Sequence, residues 1–142
     1  MKSLVILLAM VGFGQSSFNQ FVSMIDCTCD RYSLEYLGYG CWCGPGGKRR
    51  PLDATDRCCQ VHDYCWDALK HSVCGGSNPY FETYDVVKRG CGRRRPTIIC
   101  GLASNNACKE ALCVCDRTAA RCLQSNENTF NNRYRYYSNF RC

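Results

Sequence analysis

The chain contains no apolar run long enough to span a bilayer: the longest, residues 4–13, falls well short of the roughly 20 residues a transmembrane helix needs. It has two histidines, His62 and His71, in 142 residues, which leaves little from which to build a zinc site. No N-x-[ST] triplet occurs, so N-glycosylation is not expected. No internal repeat suggests a solenoid. Acidic residues are in short supply, 12 against 18 basic ones, for a formal net charge of +6. That imbalance disposes the surface toward anionic partners.

Cysteine and glycine are what the chain has in quantity, fifteen and twelve. Lys2, the apolar run and the small-x-small triplet Gly14-Gln15-Ser16 predict a secretory signal peptide over residues 1–16. The mature chain would start at Ser17, with no long pro-segment, and residues 17–142 suffice for one domain. Export passes the chain through an oxidising route, where so many cysteines form a disulfide framework rather than zinc ligands. Fifteen is odd, so at least one thiol is left over or bridges chains.

The densest chemical signal is Y-G-C-W-C-G-P-G-G at residues 39–47, followed at 56–66 by D-R-C-C-Q-V-H-D-Y-C-W. Glycines leave backbone carbonyls unobstructed. A hard cation takes oxygen ligands, and a set of loop carbonyls with one bidentate carboxylate, here Asp63, can supply them. His62, beside such a cation, can activate water. The pattern points to metal-assisted hydrolysis.

Residues 56–70 lack Gly and Pro, with Asp53 or Thr55 as candidate caps, and a second such segment runs from Asn105 or Asn106 to Cys122. Cys58 and Cys65 are two helical turns apart, as are Cys115 and Cys122, so each pair shares a face. In antiparallel helices, contacting residue numbers have a constant total. Cys58 with Cys122 and Cys65 with Cys115 give the same total, so bridges there would clip the helices side by side. His62 and Asp116 fall two short of it, which sets the imidazole nearly opposite a carboxylate. Phe18, Phe21, Val22 and Ile25 have the spacing of an amphipathic helix. Residues 75–101 read as a loop and then a short, exposed two-stranded hairpin. The tail from Gln124 reads as irregular, pinned by Cys142.

On these motifs, together with N-P-Y-F-E-T-Y at 78–84 and A-L-C-V-C-D-R-T-A-A-R-C at 111–122, residues 17–142 resemble the secreted calcium-dependent phospholipases A2 of the disulfide-rich type. The resemblance implies a mainly α fold: two long antiparallel disulfide-linked helices, an N-terminal amphipathic helix, a calcium-binding loop and a small two-stranded antiparallel hairpin. It implies Ca2+ held by the carbonyls of Trp42, Gly44 and Gly46 and by both oxygens of Asp63. His62 would be the general base, oriented by Asp116 and supported by Tyr84. The implied reaction is hydrolysis of the sn-2 ester of a glycerophospholipid to lysophospholipid and free fatty acid, without a covalent intermediate. The implied bridges are Cys27–Cys91, Cys41–Cys142, Cys43–Cys59, Cys58–Cys122, Cys65–Cys115, Cys74–Cys108 and Cys100–Cys113, which leaves Cys29. Phe18, Phe21, Ile25 and Tyr80 would line the lipid's path to His62, and Lys48, Arg49 and Arg50 would face a phospholipid membrane surface, an anionic one above all.

The sequence departs from the family pattern at Trp66, where a tyrosine usually supports the orienting aspartate; an indole N–H still donates one hydrogen bond, so activity is expected to survive at a reduced level. Asn19 replaces an aromatic on the membrane-facing helix, which weakens binding to neutral surfaces. Lys88, Arg89, Arg93, Arg94 and Arg95 read as a solvated hairpin, the alternative being a contact for anionic lipid, a heparin-like polymer or a protein receptor. His71 reads as a solvated residue at a helix end. The Arg/Tyr-rich tail could mimic a nucleic-acid stacking patch, but export argues against nucleic acid as a partner. The competing function is that of a non-catalytic phospholipase-like toxin or receptor-binding module. Retention of His62, Asp63 and Asp116 weighs against it, since non-catalytic relatives typically lose the calcium aspartate.

Overall fold

The computed structural model describes residues 16–142, so the expected leader, apart from Ser16, lies outside the described residues. Helix α1, Ser17–Thr28, starts where the Ser16 hydroxyl accepts a hydrogen bond from the Asn19 amide at 3.3 Å. Its inward stripe is led by Met24 and Ile25, both in the core. A one-turn helix α2, Ser33–Tyr36, follows. It is absent from the sequence reading because four residues carry no period. The Asp26 carboxylate accepts from the Ser33 amide at 2.7 Å and starts it.

Helix α3, Ala54–Lys70, begins two residues before the Gly/Pro-free stretch predicted for it. Of the two candidate caps, Asp53 takes the role: its carboxylate accepts from the Asp56 amide at 2.8 Å. Helix α4, Ala107–Ser125, is capped by Asn106, which accepts from the Lys109 amide at 2.9 Å. It runs three residues beyond Cys122, so Gln124 and Ser125, the first two residues of the tail expected to be irregular, are helical. Between the long helices lies the antiparallel pair β1, Val87–Arg89, and β2, Thr97–Ile99, in register Val87–Ile99, Lys88–Ile98 and Arg89–Thr97. The hairpin is not wholly exposed, because Ile98 is 2% accessible and plugs into the core. Burying a side chain of that size contributes about 1.5–3 kcal/mol.

The core sits where α1, α3 and α4 meet, with Leu112, Cys113, Ala120 and Leu123 from α4, Met24 and Ile25 from α1, Cys58 from α3 and Tyr84 from the connecting loop. Seven disulfides tie it: Cys58–Cys122 and Cys65–Cys115 clip α3 to α4. Cys74–Cys108 and Cys100–Cys113 pin the connection to α4. Cys27–Cys91 joins α1 to the hairpin, and Cys43–Cys59 and Cys41–Cys142 fix the glycine loop. Each bridge of this kind contributes roughly 2–4 kcal/mol. The pairs are those the resemblance implies, and Cys29 is free and buried. After α4 the tail makes single 3-10 turns at Glu127–Thr129, Asn132–Tyr134 and Asn139–Arg141. Among the described residues no helix is long and apolar enough to cross a membrane.

Candidate active site

The clips bring His62 of α3 against Asp116 of α4. His62 is 7% accessible and Asp116 fully buried, and His62 Nε2 lies 2.6 Å from Asp116 Oδ1. The same oxygen accepts from Trp66 Nε1 at 2.8 Å, and Oδ2 accepts from the Tyr84 hydroxyl at 2.5 Å. With two donors already on Asp116, His62 Nε2 is the third, which leaves the lone pair on Nδ1. The imidazole is held on its faces too: the Phe21 ring stacks on it at 4.0 Å between centroids and 20° between planes, and the Trp66 ring lies tilted at 4.9 Å. Burial and the neighbouring carboxylate push the Tyr84 hydroxyl far above its ordinary range, so it stays a donor.

Tyr84 is positioned by a residue the sequence reading did not single out. The Gln20 side chain donates to the Tyr84 carbonyl at 2.5 Å and accepts from the Tyr84 amide at 3.0 Å. The Ser17 hydroxyl donates to the Pro79 carbonyl, so the segment carrying Tyr84 is stitched along α1.

A second missed residue shapes the glycine loop. Asp56, fully buried in the first turn of α3, accepts from the amides of Cys41 at 2.9 Å, Trp42 at 2.8 Å and Leu52 at 2.8 Å. A Cβ at Gly40, which has φ 62°, would collide with this carboxylate. The loop is thus wrapped around one acid. Its carbonyls then sort into two sets. Those of Cys41, Cys43 and Pro45 accept from Lys48 N at 3.3 Å, Gly38 N at 2.7 Å and Asn139 Nδ2 at 3.4 Å. Those of Trp42, Gly44 and Gly46 accept no hydrogen bond among the described residues. The alternation leaves every second carbonyl unspent.

Cys43–Cys59 holds this loop on α3 one turn before Asp63, whose carboxylate has no hydrogen bond or ion pair among the described residues. Burial raises the Asp63 carboxyl to about 6, with His62 pulling the other way. Three free carbonyls and one unpaired, partly desolvated carboxylate are the all-oxygen donor chemistry that suits a hard divalent cation such as Ca2+. No group of three His, Cys, Asp or Glu side chains capable of holding a metal occurs among the described residues. A metal here depends on backbone oxygens.

The remaining candidates divide. Phe18 stacks on Tyr80 at 5.6 Å, so the two continue the wall begun by Phe21. Ile25, one turn further along α1 than Phe21, is 4% accessible and belongs to the core rather than to the rim. Lys48, Arg49 and Arg50 are exposed just after the glycine loop. His71 ends α3, 71% exposed and 3.4 Å from Asp67. These positions make a histidine with one free nitrogen, braced from behind and walled by aromatics.

The phospholipase A2 family model matches residues 18–135. The chain belongs to the phospholipase A2 family. Its relatives include the basic phospholipase A2 vaspin B chain of Vipera aspis aspis, 42% identical over 125 residues covering 87% of this chain and 81% of that protein. The basic phospholipase A2 vipoxin B chain of Vipera ammodytes meridionalis is also 42% identical, over 87% of this chain and 92% of that one. The basic phospholipase A2 DsM-b1/DsM-b1' of Daboia siamensis is 40% identical over 97% of this chain and 91% of its own length. The phospholipase A2 fold therefore accounts for the helix pair, the hairpin and the bridges together.

Proposed function

We propose that the chain is a secreted, calcium-dependent phospholipase A2 that hydrolyses the sn-2 ester of glycerophospholipids at a phospholipid surface. The observation that carries this reading is the free Nδ1 of His62, set up by three donors converging on Asp116. His62 Nδ1 takes a proton from water as that water attacks the ester carbonyl, and returns it to the leaving alkoxide. Asp116 keeps the proton on Nε2 in the resting state and stabilises the imidazolium once it forms. Phe21 and Trp66 keep bulk water from the ring faces, and Phe18 and Tyr80 extend an apolar wall toward an acyl chain. The carbonyls of Trp42, Gly44 and Gly46 with Asp63 would hold Ca2+, which supplies charge stabilisation for the ester oxyanion and the phosphate.

Fatty-acid release from phospholipid vesicles tests it. Wild type should release fatty acid with calcium and stop with chelator. His62→Gln should lose about 10²–10⁴-fold in kcat while melting at the wild-type temperature. Release that persists in chelator, or in His62→Gln, would overturn the assignment. Turnover should be faster on aggregated lipid than on dispersed monomers, as for an enzyme that sits on a bilayer without spanning it. N-terminal sequencing of exported protein should begin at Ser17.

A further inference from the structure

Arg49 has φ 63°, the left-handed conformation that glycine adopts freely and an arginine only at a cost. The conformation is held from outside. The Trp42 indole N–H donates to the Arg49 carbonyl at 3.0 Å, and Trp42 is itself buried, with the Tyr64 ring edge-on at 5.3 Å. Gly47 completes the fit, since a Cβ there would collide with the Trp42 ring. An indole, a glycine and a strained arginine are matched to one another. Their joint effect is to stand Lys48, Arg49 and Arg50 at the downstream edge of the carbonyl loop, exposed and with no acidic partner among the described residues. Glycine at position 49 would make the same turn without strain, so it is the arginine side chain that gives the strain a purpose.

What surrounds this edge decides its partner. Leu37, 47% exposed, packs against Gly44, and Phe140, 99% exposed, follows Asn139, which donates to the Pro45 carbonyl. Exposed apolar groups and unpaired cations thus flank one loop, the combination suited to a lipid headgroup layer with acyl chains beneath it. The other basic cluster, Lys88, Arg89, Arg93, Arg94 and Arg95 on the hairpin, differs: no large hydrophobic side chain is exposed between residues 82 and 113. Lys88 also bonds Ser23, about 200° around α1 from Phe21, so that cluster belongs to the opposite face of the helix.

We infer that Arg49, latched by Trp42 and flanked by Lys48 and Arg50, is a specificity-determining residue that engages the phosphate-bearing headgroups of anionic phospholipids where the carbonyl loop meets the lipid surface. The inference rests on the phospholipase reading but is tested apart from hydrolysis. Arg49→Gly keeps the backbone turn and removes the cation. Co-sedimentation of the full chain with phosphatidylglycerol vesicles should fall about five-fold for this variant, the effect of one basic group near an anionic surface. Its melting temperature should not fall. Arg49→Lys should recover most of the binding, and Arg93→Ala/Arg94→Ala/Arg95→Ala should stay within about two-fold of wild type, being screened from the contact. In release assays the preference for phosphatidylglycerol over phosphatidylcholine should shrink by a similar factor in Arg49→Gly.

Wild-type binding by Arg49→Gly would overturn the inference, as would an equal loss in the hairpin variant, which would make net charge the determinant. Failure of wild type to bind phosphatidylglycerol vesicles would overturn it as well. A wild type that binds these vesicles, loses binding on Arg49→Gly and yet releases no fatty acid would sink the catalytic reading and leave this one standing.

Discussion

Asp116 gathers donors from three directions, and each fixes something different. Tyr84 comes from the loop that Gln20 stitches to α1, Trp66 comes from the next turn of α3, and His62 receives the result. Trp66→Phe keeps a ring beside the imidazole but removes one of two hydrogen bonds on Oδ1. A hydrogen bond to a charged group contributes about 1.5–3 kcal/mol; with Tyr84 still in place the expected cost is at the low end, a roughly ten-fold drop in kcat with KM little changed, read from steady-state release rates. A Trp66→Phe enzyme as fast as wild type would mean that the indole N–H serves packing alone. The His62–Asp116 pair was legible in the sequence because disulfide spacing sets the helix register. Gln20 and Asp56 were not, because their roles consist of bonds to distant backbone, and backbone partners leave no pattern in side-chain identity.

Helix α3 carries most of the site, and its first turn does the shaping. Asp53 caps it and also accepts from the Tyr39 hydroxyl at 2.5 Å, while Asp56 gathers three loop amides. Asp53→Ala should cost about 1 kcal/mol from the lost cap, measured by urea unfolding. Asp56→Ala should cost more, about 3 kcal/mol or above, since it strands three amides, two of them buried away from water, and calcium titration should show weakened binding. Calcium binding unchanged in Asp56→Ala would show that the loop holds its form without the acid. Element starts were readable to within two residues because Asp and Asn caps announce them. The one-turn α2 and the buried Ile98 were not, the first for want of length and the second because a three-residue strand shows no alternation.

Across the whole molecule fourteen cysteines are paired and one is not. Cys29 sits against the Ala120 carbonyl, 3.8 Å from its sulfur, and burial raises its thiol from 9.0 to about 11. The unfolded chain therefore loses this proton near pH 9 and the native chain only near 11. The native state holds more protons in that window, so stability falls as pH rises through it. Urea midpoints at pH 8 and pH 10.5 should differ, and Cys29→Ala should narrow the gap; an unchanged gap would remove Cys29 as a contributor. Native protein at pH 8 should react slowly with a thiol reagent and take up one equivalent on unfolding. Cys27 and Cys29 are only two residues apart, so spacing by itself does not say which of them is the odd one. Both are buried, and it is Cys27 that meets Cys91, while Cys29 faces the Ala120 carbonyl of α4.

Cys142 is bonded to Cys41 in the glycine loop, and Asn139 three positions earlier holds that loop's Pro45. Anyone labelling this protein should heed it: a probe or fusion attached beside Cys142 would hang over the glycine loop and crowd the closing of the Cys41–Cys142 bridge. The hairpin tip near Gly92, with open space around it, offers the safer handle for immobilisation or labelling.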